Sequence, residues 1–150
     1  MHGGDKCSEY SSHSARMAVL FPGLIKMSQA ADFGTAEEAK AMLSKVVTAL
    51  KEDKKKALED FNSGNGGFKD RDLYVLCASA SDGTITASPT SNGKNLKDFA
   101  PGHEVMHTAT EGQLKEITYW WPRPGSIKPL KKHTFYTKVA DQICGVGYWE

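Results

Sequence analysis

Apolar positions along this chain recur first with a helical period and then with a strand period. From Thr35 to Asn62 they fall mostly three and four apart: Ala39, Met42, Leu43, Val46, Val47, Leu50, Ala57, Leu58 and Phe61. That spacing predicts one long amphipathic helix with a lysine-rich face turned to solvent. Thr35 and Glu38 form the capping-box pattern that starts it. The run Asn62 to Gly67 (NSGNGG) ends it, because Asn and Gly accept left-handed backbone.

Beyond the helix the pattern alternates. Strands are predicted over Asp72–Ser79, Thr84–Ser88, Lys115–Trp121, Lys132–Ala140 and Gln142–Tyr148. Asp82-Gly83 is the turn between the first two. Pro89 stops the second strand, and Pro122 to Gly125 (PRPG) marks a loop. Thr90–Gly102 reads as a polar connection, and His103–Glu111 as a short helix. The predicted architecture is α+β and PAS-like. A five-stranded antiparallel sheet carries the long N-terminal helix on one face and a loop and short-helix lid on the other. The segment 90–112 then roofs a pocket.

Composition adds boundaries. The chain has 150 residues, with 19 basic against 18 acidic side chains. That balance offers no cationic excess for nucleic acid or an anionic membrane. No apolar run reaches the ~18 residues of a spanning helix. Residues 1–34 read as a tail or remnant signal segment, expected to be disordered, and 35–150 as a single domain. Met17–Ile25 is a short apolar run after Arg16, and Ser28-Gln29-Ala30 places small residues for cleavage before Ala31. This is a weak export signal, and it sets the expected location as periplasmic or otherwise extracytoplasmic. Of three cysteines, Cys7 lies in the tail. Cys77 and Cys144 lie on two apolar strands. In an exported chain they are expected to form a disulfide; in a reducing compartment they would be small buried hydrophobes.

One motif invites a catalytic reading. His103-Glu104-Val105-Met106-His107 matches H-E-x-x-H, which on a helix presents two histidines to Zn²⁺ and a general base beside them. A catalytic zinc needs a third protein ligand. The positions where a Gly and a His would follow are Thr110 and Gln113, and no Asp or Glu occurs between Glu116 and Asp141. A zinc-dependent hydrolase is therefore an alternative, as is a pocketless interaction domain. No G-x-S-x-G elbow, Walker loop or G-x-G-x-x-G is present, and no cofactor is expected. Gly145-Val146-Gly147 reads as a place where a strand bends against its neighbour.

From Phe33 onward a series of short blocks follows in a definite order. They are ALEDFN at 57–62, GFKDRDLYV at 67–75, DGT at 82–84, GKNL at 93–96, YWWP at 119–122, Lys132 with Phe135, and CGVGY at 144–148. In order and spacing the chain resembles a single Cache domain of the second type, a PAS-like extracytoplasmic sensor family. The resemblance implies a non-catalytic module that binds small ligands, often short carboxylates, in signal transduction. A membrane sensor kinase or chemoreceptor is the partner it implies. The chain stops directly after its last strand, so it reads as free-standing, with the long helix as output element and as a surface for a homodimer.

The family motif favours Tyr119 and Trp121 as the pocket side of their strand. Tyr119 offers a hydroxyl to a carboxylate, and Trp121 an apolar wall. Lys132 is the expected counter-charge for a small organic anion. Tyr74 is placed on the floor, and His107 reaching in from the roof.

Overall fold

The computed structural model describes residues 31–150; the expected signal segment and Cys7 lie outside them. The first helix, α1, spans Ala36–Glu52, and its capping box is present, Thr35 and Glu38 bonding each other's backbone N–H. It buries Ala39, Met42, Leu43, Val46 and Leu50, the predicted stripe. The single long helix does not hold. Asp53 takes extended backbone (φ −154°, ψ 95°) and separates α1 from α2, Lys54–Ser63. Asp53 closes α1 through its own N–H on the Ala49 carbonyl, and its side chain accepts from Lys56 N to start α2. An Asp inside a lysine run is a strong N-cap, and here that preference overrides the continuous period.

Six strands follow: β1 Lys69–Asp70, β2 Leu73–Ser79, β3 Ile85–Ala87, β4 Lys115–Pro122, β5 Pro129–Val139 and β6 Gln142–Trp149. The sheet runs β1-β2-β6-β5-β4, with β3 also pairing β2, and every strand pair is antiparallel. The two-residue β1 is the addition to the five expected strands. β5 begins at Pro129 rather than Lys132, because Leu130 and Lys131 continue the ladder opposite Trp121 and Trp120. The roof holds a 3₁₀ turn at Leu96–Asp98 and helix α3, Gly102–Thr108, shorter than predicted. A Cβ on Gly102 would stand 1.8 Å from the Leu96 carbonyl oxygen, so only glycine lets α3 start against that turn.

Strand alternation divides the core. On the helix face, Leu73, Val75, Cys77, Phe135, Cys144 and Val146 pack under Leu43, Val46 and Phe61. Cys77 and Cys144 are paired across β2 and β6 and form a disulfide. On the other face, Ala78, Ile85, Ile117, Tyr136 and Ile143 meet Leu96 and Val105 of the roof. Residues 31–34, grouped with the tail by sequence, are held to the domain. Gly34 N donates to Asp72 Oδ1 at 2.6 Å, and Arg71 bonds the carbonyls of Ala31 and Phe33.

Candidate ligand-binding site

β5 brings Lys132 to the roofed face, flanked in register by Tyr119 on β4 and Trp149 on β6. Extending the Val75–Val146 pairing by one residue sets Tyr74 opposite Gly147. Gly147 is the residue that makes this geometry possible. A Cβ there would lie 2.3 Å from Lys132 Cε and 2.6 Å from Thr134 Oγ1. With no side chain in the way, Lys132 crosses β6 and donates from Nζ to Tyr74 Oη at 3.0 Å. Its ammonium also sits 4.6 Å from the Tyr74 ring centroid and 4.3 Å from that of Trp149.

Lys132 is 4% exposed. No Asp or Glu forms a salt bridge with it among the described residues. Burial pushes its pKa down to about 7, against an opposing pull from the charge of Asp72. Asp72 itself is buried and committed elsewhere, to Gly34 N and, at 3.1 Å, to Arg123 Nε from the β4–β5 loop. The lysine thus stands in an aromatic enclosure with no carboxylate side chain paired to it among the described residues.

That enclosure opens on a cavity with two adjoining lobes of about 510 and 460 Å³, solvent at their mouths included. Tyr74, Tyr119 and Lys132 line both lobes. Trp121 lines the second, with Phe99 of the roof set edge-on against it at 5.5 Å. Tyr119 Oη pairs with Thr134 Oγ1 at 3.1 Å, and burial raises the pKa of both Tyr74 and Tyr119, so both phenols stay protonated at neutrality. Trp149 Nε1 donates to the Trp121 carbonyl at 2.9 Å and ties the last strand to the wall.

Four of the five residues expected at the site therefore meet at one cavity. His107 does not. It is exposed on α3 and lines neither lobe; Val105 of the same helix is the residue turned inward. His103 is exposed too, and among the described residues no group of three or more His, Cys, Asp or Glu is placed to hold a metal ion. The expectation of a filled core without a pocket is not met, since the roof leaves the cavity above the sheet. Sequence reading passed over Gly147, Trp149 and the lid residues Leu96 and Val105. The signal for Gly147 was present: glycines at 145 and 147 alternate on one face of a strand, which marks cleared space on that face as readily as a bend.

No family model and no curated protein matches the sequence. Solved structures with the same fold are found. One is a Cache chemosensory domain whose structure gives the basis for its carboxylic acid recognition. It is 16% identical, with 75% of this chain and 86% of that one covered and a TM-score of 0.51. Another is the periplasmic sensor domain of a chemotaxis protein. It is 19% identical, with 75% and 88% covered and a TM-score of 0.51. The helix pair, the antiparallel sheet and the roofed face are together a Cache/PAS-like fold.

Proposed function

We propose that this chain is an extracytoplasmic sensor module of the second Cache type, which binds a small carboxylate and catalyses no reaction. The observation that carries this reading is Lys132: a buried amine on a cavity wall, beside a phenol and two ring faces, with no carboxylate partner among the described residues. A buried charge is costly unless paired, and a ligand anion supplies the missing partner. Tyr119 and Trp121 form the rest of the binding wall, and the segment from Ser88 to Ala109 acts as lid. The disulfide supports an oxidising compartment. The fold shared with a periplasmic chemotaxis sensor supports a membrane chemoreceptor or sensor kinase as the reader of the signal.

The route to the reader is physical. Asp72, whose charge reaches Lys132, also holds Gly34 N just before α1, so a ligand that neutralises Lys132 acts on the group that anchors the helix entry. Calorimetric titration with acetate, propanoate and butanoate tests the proposal. Saturable binding in the native chain, lost in Lys132→Met with the fold intact by circular dichroism, is the expected result. Equal binding by both proteins removes Lys132 from the site, and no binding of any acid removes the carboxylate reading.

A further inference from the structure

On the helix side of the sheet, Phe135 of β5 packs into the core beneath α1, and His133, two residues earlier on the same face, lies outside that core. Its ring stacks on Tyr148 of β6 with centroids 5.0 Å apart, and its side chain is 13% exposed. Each ring nitrogen meets a carboxylate from a different part of the chain. Nδ1 stands 2.8 Å from Glu116 Oε1 on β4, with Thr118 Oγ1 at 3.1 Å. Nε2 stands 3.0 Å from Oε1 of Glu150, the residue after β6. That nitrogen is closed to solvent and makes no aligned hydrogen bond, so its contact with Glu150 is one of charge.

The other charged and titratable groups around the ring are few. Lys131 Nζ holds the second oxygen of Glu150 at 2.9 Å, and this lysine above all, with His133 adding to it, keeps the Glu150 carboxyl below its usual range. Burial raises the pKa of the Tyr148 phenol, which stays neutral. On α1, Lys40 Nζ sits 5.0 Å from the Phe135 ring centroid.

A neutral imidazole carries one N–H and one lone pair, so it cannot serve two carboxylates. Its proton stays on Nδ1, where the bond to Glu116 is aligned. The lone pair of Nε2 then faces a carboxylate oxygen in a spot closed to solvent. A protonated ring attracts both. Glu116 and Glu150 stand at opposite ring nitrogens and do not converge on a common ion, and no metal-holding group is found among the described residues.

Glu150 is joined to the binding wall. It follows Trp149, whose indole N–H donates to the Trp121 carbonyl and whose ring lies 4.3 Å from Lys132 Nζ. We propose that His133 is a proton-operated clamp on the end of β6. Protonated, it joins Glu116 to Glu150 and holds Trp149 in place. Neutral, it repels Glu150 and frees the strand end to shift. Histidine is the side chain whose ordinary charge change falls between about pH 5 and 8, so the clamp opens as pH rises through that range.

Nuclear magnetic resonance of the full chain tests this by following the His133 ring and the Trp149 indole N–H between about pH 5 and 8. Lys132 touches the same indole, so the titration is run in Lys132→Met. The indole resonance is expected to shift with the midpoint of the His133 ring, and to lose that shift when His133→Gln is added. If the His133→Gln protein fails to fold, Glu150→Gln in the same background leaves the ring in place. There His133 is expected to titrate still while the indole stays flat. A His133 ring that keeps one protonation state across the range, an indole that stays flat while the ring titrates, or an indole shift that survives either substitution overturns the clamp.

Discussion

Val75, Cys77, Phe135, Cys144 and Val146 face the helices, while Tyr74, Leu76, Lys132, Thr134 and Gly147, from the same strands, face the roof. The first set is closed. Two helices lay a continuous apolar stripe on it, a disulfide crosses its centre, and Phe61 meets Phe68 edge-on at 4.5 Å. The second set is covered by a short helix and a turn, which touch the sheet through a few side chains and leave space between. The difference lies in the covering elements. Regular helices match a flat apolar face along their length, whereas an irregular roof touches at points and encloses a cavity. The buried lysine lies on the hollow side, where the Tyr74 phenol and the ring faces of Tyr74 and Trp149 reach it.

The sharpest way to break the comparison is to remove the staple from the closed face. The double substitution Cys77→Ala and Cys144→Ala releases a crosslink spanning 67 residues of sequence. Chain entropy for a loop of this size gives a loss of about 4 kcal/mol. Chemical denaturation at neutral pH measures it. A loss far below that figure would mean that the closed face holds without its crosslink.

The hollow face should respond with the opposite sign. Lys132→Met replaces a buried amine with an apolar chain of similar length. The ligand-free protein is expected to gain ~1–4 kcal/mol at or below neutral pH, while carboxylate binding disappears. Destabilisation in the same denaturation experiment would show that the contacts of Lys132 with Tyr74 and Trp149 outweigh its burial.

Proton linkage sharpens this contrast. The pKa of Lys132 falls from an ordinary 10.5 to about 7 in the folded protein. Between those values the unfolded chain holds the proton and the folded chain does not. Stability contributed through this group therefore rises with pH across that window, and the penalty of burying the charge is fully present below it. Lys132→Met should flatten the rise. Ligand binding runs the other way, because a carboxylate needs the protonated amine. Affinity is expected to fall about tenfold per pH unit above about 7. Tyr74 and Tyr119, the other titratable groups against the amine, have raised pKa values and stay neutral near pH 7. Titrations at a series of pH values check the slope; an affinity that is flat across them removes the proton from the binding step.

The smallest effect is expected at His107→Ala. The side chain is exposed and away from both lobes, so stability should change by less than about 0.5 kcal/mol and carboxylate affinity not at all. Thermal unfolding and one titration suffice. A lost affinity would place the ring in the binding wall.

The sequence alone determined whatever depends on local period and local chemistry. The apolar stripe of α1, the Thr35–Glu38 cap, the Asp82-Gly83 turn and the alternation of the strands are properties of short windows, and each is where the pattern put it. The same alternation, with the resemblance to known sensor domains, set Tyr119, Trp121 and Lys132 on one face. Tertiary structure decided what depends on who stands opposite. Gly147 matters because Lys132 must pass over it to reach Tyr74, and those three residues belong to three strands. His107 and Val105 are two positions apart on one short helix, too short for a period to say which turns inward; the packing of α3 on the turn at Leu96–Asp98 chose Val105. Asp53 broke a helix that nine apolar positions described as continuous, because a cap is a single-residue preference that a periodicity count does not weigh.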